Sequence, residues 1–289
     1  MPNIDFTIEE VKKSVLTAIE KNQRFLFNEL ELQMLVARRL EQDFKADDGY
    51  IVHLEYRLPK GWNDDFDKAY APWGETPYFD IVLEYVKNNK SQYIGIELKY
   101  KLKEVKLKEK DTEFKRFGES GQKGIKLVSN QAAENEGRYD FWKDVKRLEL
   151  LAEHFKDSVI GGIAIFLTNQ GNYTNQVTDN KYSLFNLSEK QKDTLLYWDH
   201  QTPPTWCNKW WKGACKTCKN PCGEAQKTEP AKRKDKDSVK WGSELCHYKR
   251  PNFSFKNTYK PLWLVGSDGW LGPLGQRFYC CYVTIPKCK

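Results

Sequence analysis

Residues 78–101 read YFDIVLEYVKNNKSQYIGIELKYK. Apolar residues alternate with polar ones on both sides of Asn88-Asn89, the pattern of a β-hairpin with a face turned to a core. Side chains along a strand alternate in direction, so Glu97 and Lys99 share one face and Ile96 and Leu98 the other. With the first strand antiparallel to the second, Asp80 comes to lie across from that pair. Two carboxylates and an ammonium then gather on one patch of sheet.

The rest of the chain supplies elements to pack around this hairpin. Residues 7–43 have helical spacing, with Val11, Val15, Ala18 and Ile19 on one face, Leu32, Val36 and Leu40 on another, and a break near Asn22. Residues 51–58 alternate as a strand closed by Pro59. Residues 61–77 read as a loop, and the strand from Tyr93 is expected to run on to Val105. A short helix is expected over 127–134 and a longer one over 140–155. The run SVIGGIAIFLT at 158–168 is a buried strand. Strands, a helix and a further buried strand predict an α/β fold, a mixed sheet with helices on its faces. Residues 261–265 and 277–285 look like strands that return to the core.

Composition narrows the functional classes. The 289 residues hold ample apolar material for one large core. No apolar run is long enough for a transmembrane helix, and the first residues lack the basic and apolar regions of a signal peptide. A cytoplasmic protein is expected. The net charge of +7 is uneven: residues 199–289 carry a balance of +10 and residues 1–198 a balance of −3. A basic end on a near-neutral body suits a polyanionic partner. Histidine is scarce, and no phosphate-binding Gly-rich loop with Lys-Ser/Thr and no nucleophile elbow is present, which argues against an ATPase, a His-based nuclease or an α/β-hydrolase.

All eight cysteines lie beyond residue 206. Cys207, Cys215, Cys218 and Cys222 fall in a Trp- and Lys-rich stretch, and Cys215-x-x-Cys218 has the spacing of a metal knuckle. Four thiolates suit a structural Zn²⁺ that folds an insertion without a core of its own. An iron–sulfur cluster is the rival, and Cys246 or His247 are substitute ligands. The stretch at 199–250 reads as a Cys-rich basic insertion between a core of residues 1–198 and C-terminal strands at 251–289.

The chemistry of the hairpin follows from its charges. Grouped carboxylates repel one another, and a divalent cation relieves the strain. Mg²⁺, or Mn²⁺ in its place, takes one or two carboxylates and completes its shell with water and phosphate oxygens. The spacing Pro77-x-x-Asp80 followed by Glu97-x-Lys99 resembles the PD-(D/E)XK nuclease superfamily. Asn130-Gln131, the helix around Asp144 and the segments HLEYRLP and IELKYK extend the resemblance over residues 20–170, in the manner of uncharacterised bacterial members. It implies a restriction-endonuclease-like fold and a nuclease acting on DNA more readily than on RNA. It implies that Asp80 and Glu97 bind Mg²⁺ and that Lys99 serves the attacking water. The superfamily often adds an acidic residue on its first core helix. Glu29 and Glu31 compete for that role, and Glu29 lies on the more apolar stripe.

Lys101 and Lys103 continue the face of Lys99 as a phosphate-tracking rail, with Lys106, Lys108 and Lys110 beyond them. An edge strand guarded against aggregation is the bland alternative. Gln131 is a candidate for contact with nucleic acid. Asp144 and Arg147, one helical step apart, are expected to form a structural ion pair. Two further functions stay open: a nucleic-acid-binding module of the same fold without catalysis, and an assembly protein that uses the Cys-rich insertion. Restriction or phage defence is the setting the superfamily suggests, and a homodimer is the oligomer considered.

Overall fold

The structure, a computed structural model, describes residues 6–73, 77–106, 126–131, 134–175, 186–187 and 253–287. The stretch holding Cys207, Cys215, Cys218 and Cys222 lies outside the described residues, as do Lys108 and Lys110.

Two helices open the chain. α1 (Ile8–Glu20) begins where Thr7 Oγ1 accepts from the Glu10 amide at 3.3 Å, and it buries Val11, Val15, Leu16, Ala18 and Ile19. α2 (Glu29–Asp43) begins at a reciprocal cap. Asn28 Oδ1 accepts from the Glu31 amide at 2.9 Å, and Glu31 Oε2 accepts from the Phe27 amide at 2.7 Å. Its stripe of Leu32, Val36, Ala37 and Leu40 is buried.

The strands follow: β1 (Tyr50–Arg57), β2 (Tyr78–Lys87) and β3 (Lys90–Lys101) form an antiparallel meander. Asn88 and Asn89 take φ of 52° and 58°, the left-handed pair that a two-residue hairpin turn requires. Between β1 and β2, where a loop was expected, the chain makes a short helix, α3 (Asp64–Tyr70). Asn63 caps it by accepting from the Asp65 and Phe66 amides, and Phe66 and Tyr70 are buried.

β3 ends at Lys101, four residues before the expected end, and β4 (Val105–Lys106) pairs instead with β5 (Lys126–Val128). The expected helix over 127–134 is thus replaced by a strand of three residues, too short to leave a period. α4 (Glu134–His154) starts six residues earlier than its apolar spacing suggested. β6 (Val159–Thr168), β7 (Leu262–Leu264), β8 (Trp270–Leu271) and β9 (Arg277–Pro286) complete the strands.

The main sheet runs β1-β2-β3-β6-β9-β7, with β8 paired to β9. β3 and β6 are parallel and the other pairs antiparallel, so the fold is α/β with a mixed sheet. Helices cover both faces. α1 and α2 pack on Ile81, Leu83, Ile94, Ile96, Leu98, Ile163 and Ile165. α3 and α4 pack on Phe79, Val82, Ala164 and Phe166, together with Phe253, Phe255 and Tyr259. The two central strands are therefore buried on both sides, which is why IGIEL and VIGGIAIFLT read as near-continuous apolar runs. No helix among the described residues is long and apolar enough to cross a membrane.

α4 lies close on the sheet because Gly95 and Gly162, register partners on β3 and β6, present no side chain to it. A Cβ on either would stand 2.8 or 3.0 Å from Leu148 Cδ2.

Glu84 ties the meander together on that same face. Its carboxylate lies 2.7 Å from His53 Nε2 on β1 and accepts from the Tyr93 hydroxyl on β3 at 3.1 Å. Burial works to raise its pKa, but hydrogen bonds from Ser91, His53 and Tyr93 outweigh it and leave the value below the usual carboxylate range. A carboxyl lowered in the folded state contributes stability above its unfolded pKa and loses it as the pH falls through the folded value. Glu84→Gln is therefore expected to lose stability at neutral pH and to flatten the acid limb of a plot of Tm against pH. Parallel acid limbs for variant and parent would refute this.

Candidate active site

The ladder between β2 and β3 runs from Lys87↔Lys90 to Ile81↔Ile96. Past that point the outer edge of β3 turns its amides to side chains instead of a neighbouring strand. Leu98 N–H donates to Asp80 Oδ2 at 2.6 Å, Tyr100 N–H to Glu29 Oε2 at 2.7 Å, and Leu102 N–H to Gln131 Oε1 at 3.1 Å. Alternate amides of a strand face the same edge, so these three acceptors form a row. The row comes from three distant parts of the chain: β2, the first turn of α2, and the loop before α4. Gln33, buried on α2, adds a brace by donating to the Asp80 carbonyl and, at 3.0 Å, to Glu55 Oε1. Glu55 itself holds a φ of 50°, a left-handed turn within β1 beside this brace.

Glu97 and Lys99 stand on the face toward α4. Glu97 is 1% exposed, and its Oε2 meets Arg147 Nη2 at 2.7 Å. The same Nη2 reaches Asp144 Oδ1 at 2.7 Å. Asp144 Oδ2 lies 3.7 Å from Lys99 Nζ, and Lys99 Nζ lies 3.2 Å from Glu29 Oε1. Carboxylates and cations thus alternate along a chain: Glu97, Arg147, Asp144, Lys99, Glu29. Among the described residues, buried Glu97 Oε1 has no hydrogen-bond partner, and Arg147 Nε is in the same condition.

Each group's electrostatics has an assignable cause. Burial pushes the Asp80 carboxyl up to about 6; the Leu98 amide pulls it down, Asp144 pushes it up, Lys99 pulls it down and Glu29 pushes it up. Burial raises Glu97 well above the ordinary glutamate value, against the pull of Arg147 and with the help of Asp80 and Asp144. Burial works against the charge on Lys99, but the carboxylates of Asp144 and Glu29 outweigh it and hold the ammonium above the ordinary lysine value. Lys99 is therefore a fixed cation. Asp80 and Glu97 are the two carboxylates whose negative charge is least satisfied.

The residues singled out from sequence do not all meet. Asp80, Glu97, Lys99 and Glu29 come together at the end of the β2–β3 ladder. Glu31, the competitor of Glu29, is occupied in the cap of α2 and turned to the Phe27 amide. Lys101 sits on the face of Lys99, its Cγ beside Gly137 of α4. Lys103 lies past the end of β3, exposed, with its amide donating to Asn169 Oδ1 at 2.6 Å. The rail of lysines is therefore broken after Lys101. Gln131 is tied to Leu102 twice, since its own amide also donates to the Leu102 carbonyl at 3.0 Å.

The spacing of Asp144 and Arg147 predicts a structural ion pair. They do pair, yet both also reach across to β3. The signal was present in part: these two charges and Asp140 sit on a helix that otherwise carries Phe141, Val145 and Leu148 toward the sheet. Among the described residues no group of three or more Asp, Glu, His or Cys side chains forms a ready cage for a metal. Mg²⁺ does not require one, because it commonly uses one or two carboxylates and fills its shell from water and phosphate. Glu97 Oε1, without a partner among the described residues, and Asp80, within electrostatic reach of Glu97, fit that mode of binding.

Comparison with protein-family models, curated proteins and solved structures gave no significant match for this chain.

Proposed function

We propose that this chain is a nuclease that hydrolyses phosphodiester bonds of DNA with Mg²⁺ or Mn²⁺, on a restriction-endonuclease-like core. The observation that carries the reading is Glu97: a buried carboxyl whose Oε1 has no hydrogen-bond partner among the described residues, on the same strand face as the Lys99 ammonium and within electrostatic reach of Asp80. A buried carboxyl oxygen left without a hydrogen-bond partner is costly in a purely structural site.

Asp80 and Glu97 would hold the cation. When bound, it lowers the pKa of a coordinated water and withdraws charge from the phosphoryl oxygens. The protein's own groups do the rest. Lys99, charged at neutral pH and held by Glu29 and Asp144, presents its N–H donors to the oxygens that gain charge in the transition state. Its raised pKa suits this electrostatic role better than that of a base. Glu29 fixes the ammonium while its other oxygen pins the strand at Tyr100. Lys101 continues on the same face and suits a neighbouring phosphate.

The test is cleavage of supercoiled and linear DNA by the full chain with Mg²⁺, with Mn²⁺ and with EDTA, against Glu97→Ala. Metal-dependent nicking that vanishes in Glu97→Ala supports the reading. Absence of cleavage of every DNA and RNA form removes it.

A second reading has its own observation. Arg147 already neutralises part of Glu97, and Asp80 and Glu29 already cap the edge of β3. A cluster satisfied in this way also suits a nucleic-acid-binding module without catalysis. Salt-sensitive DNA binding with neither turnover nor Mn²⁺ affinity selects it.

A further inference from the structure

The position of Arg147 goes beyond an ion pair. We infer that its guanidinium is the resident stand-in for the divalent cation, holding Glu97 until metal arrives and then passing wholly to Asp144. The inference rests on the metal-dependent nuclease reading and adds to it how the site is kept intact before loading.

The geometry carries four parts of the argument. Arg147 Nη2 is shared, at 2.7 Å from Glu97 Oε2 and 2.7 Å from Asp144 Oδ1. A guanidinium that lets go of Glu97 thus keeps a charged partner without leaving its place. Its hold on Glu97 is through one nitrogen only, not the two parallel bonds a guanidinium makes when it locks a carboxylate. Its Nε is buried and has no partner among the described residues, so the group is under-used where it sits. The faces of Tyr78 and Phe79 lie 5.8 and 5.9 Å from its centre, a π-surface over which the charge can shift at low cost.

The charge count points the same way. The alternating chain together with Asp80 brings Asp80, Glu97, Asp144 and Glu29 against Arg147 and Lys99. Two cations stand among four carboxyl groups, and the shortfall falls at Asp80, which forms an ion pair with neither of them, and at Glu97 Oε1, which has no partner among the described residues. Arg147 lessens that shortfall without removing it. A divalent ion placed between Asp80 and Glu97 supplies what is missing and makes the hold of Arg147 on Glu97 redundant. Asp144 is then a positioning residue: it receives Arg147 on one oxygen and steadies Lys99 from the other.

The inference is tested by calorimetric titration of the full chain with Mn²⁺, with the Mn²⁺-induced rise in Tm as a second readout. Neither depends on turnover. Removing the competitor in Arg147→Gln is expected to tighten Mn²⁺ binding roughly 10–100-fold, the range over which groups behind metal ligands tune affinity. Its Tm should rise more on Mn²⁺ addition than that of the parent. Asp144→Asn, which takes away the place Arg147 moves to, is expected to weaken Mn²⁺ binding. Should Arg147→Gln not fold, the Asp144→Asn result decides alone, and unchanged affinity there overturns the exchange. If the parent binds Mn²⁺ in a Glu97-dependent way but Arg147→Gln binds no tighter, the exchange fails and the metal reading stands. If neither parent nor Arg147→Gln binds Mn²⁺, both fall together.

Discussion

Lys99→Ala is expected to lower metal-dependent DNA cleavage by roughly 10²–10³-fold, the loss that follows removal of one preorganised donor from a developing charge. The fall should appear in kcat with KM little changed, because the lost interaction strengthens only in the transition state. Lys99→Arg should recover little of it. A guanidinium is wider, and its planar fork cannot take the place of an ammonium seated between Glu29 and Asp144. Steady-state rates on one DNA substrate, with circular dichroism to show that the variants fold, check the expectation. Parent-like rates in Lys99→Ala would leave Lys99 as nothing more than the counter-ion of two carboxylates.

The second large effect concerns stability and a residue that takes no part in the proposed chemistry. Glu149 on α4 is fully buried. One oxygen meets Lys146 Nζ at 2.6 Å. The other accepts from the amides of Lys256 and Asn257, both at 3.0 Å, and from the Tyr259 hydroxyl at 3.1 Å. This carboxylate fastens the segment that carries Phe253, Phe255 and Tyr259 into the core beside Trp142 and Tyr139. Glu149→Ala strands Lys146 and several buried donors, and is expected to cost about 3–5 kcal/mol, as for one partner lost from a buried pair. Glu149→Gln keeps an acceptor for the two amides and should cost less, about 1–3 kcal/mol. Urea unfolding of the three proteins measures both. A Glu149→Ala midpoint equal to that of the parent would show that the segment is held by its aromatic packing alone.

The sequence foretold some of this and was silent on the rest, for reasons that can be named. Alternation around Asn88-Asn89 announced the hairpin and put Glu97 and Lys99 on one face. The apolar stripe around Glu29 set it apart from Glu31, whose side chain is occupied in the cap of α2. The row of acceptors along β3 left no trace in the string. Asp80, Glu29 and Gln131 are brought to consecutive outward amides only by the sheet's termination, a tertiary event. β5 leaves no sequence signal because three residues cannot display a period. α3 was passed over because its apolar face is only Phe66 and Tyr70, although Asn63 and the acidic residues behind it marked a helix start. Arg147 looked like half of a local pair because its second partner, Glu97, lies fifty residues away in sequence.

The bare backbone at Gly95 and Gly162 reaches further than the packing of one leucine. Leu148 follows Arg147 in sequence, so the depth to which this leucine sinks sets how far the neighbouring guanidinium extends toward β3. An added methyl at either glycine acts as a shim beneath α4, drawing Arg147 and Asp144 outward from Glu97 and Lys99 without touching any charge. The tuning of the charged cluster is thereby delegated to two positions that have no chemistry of their own.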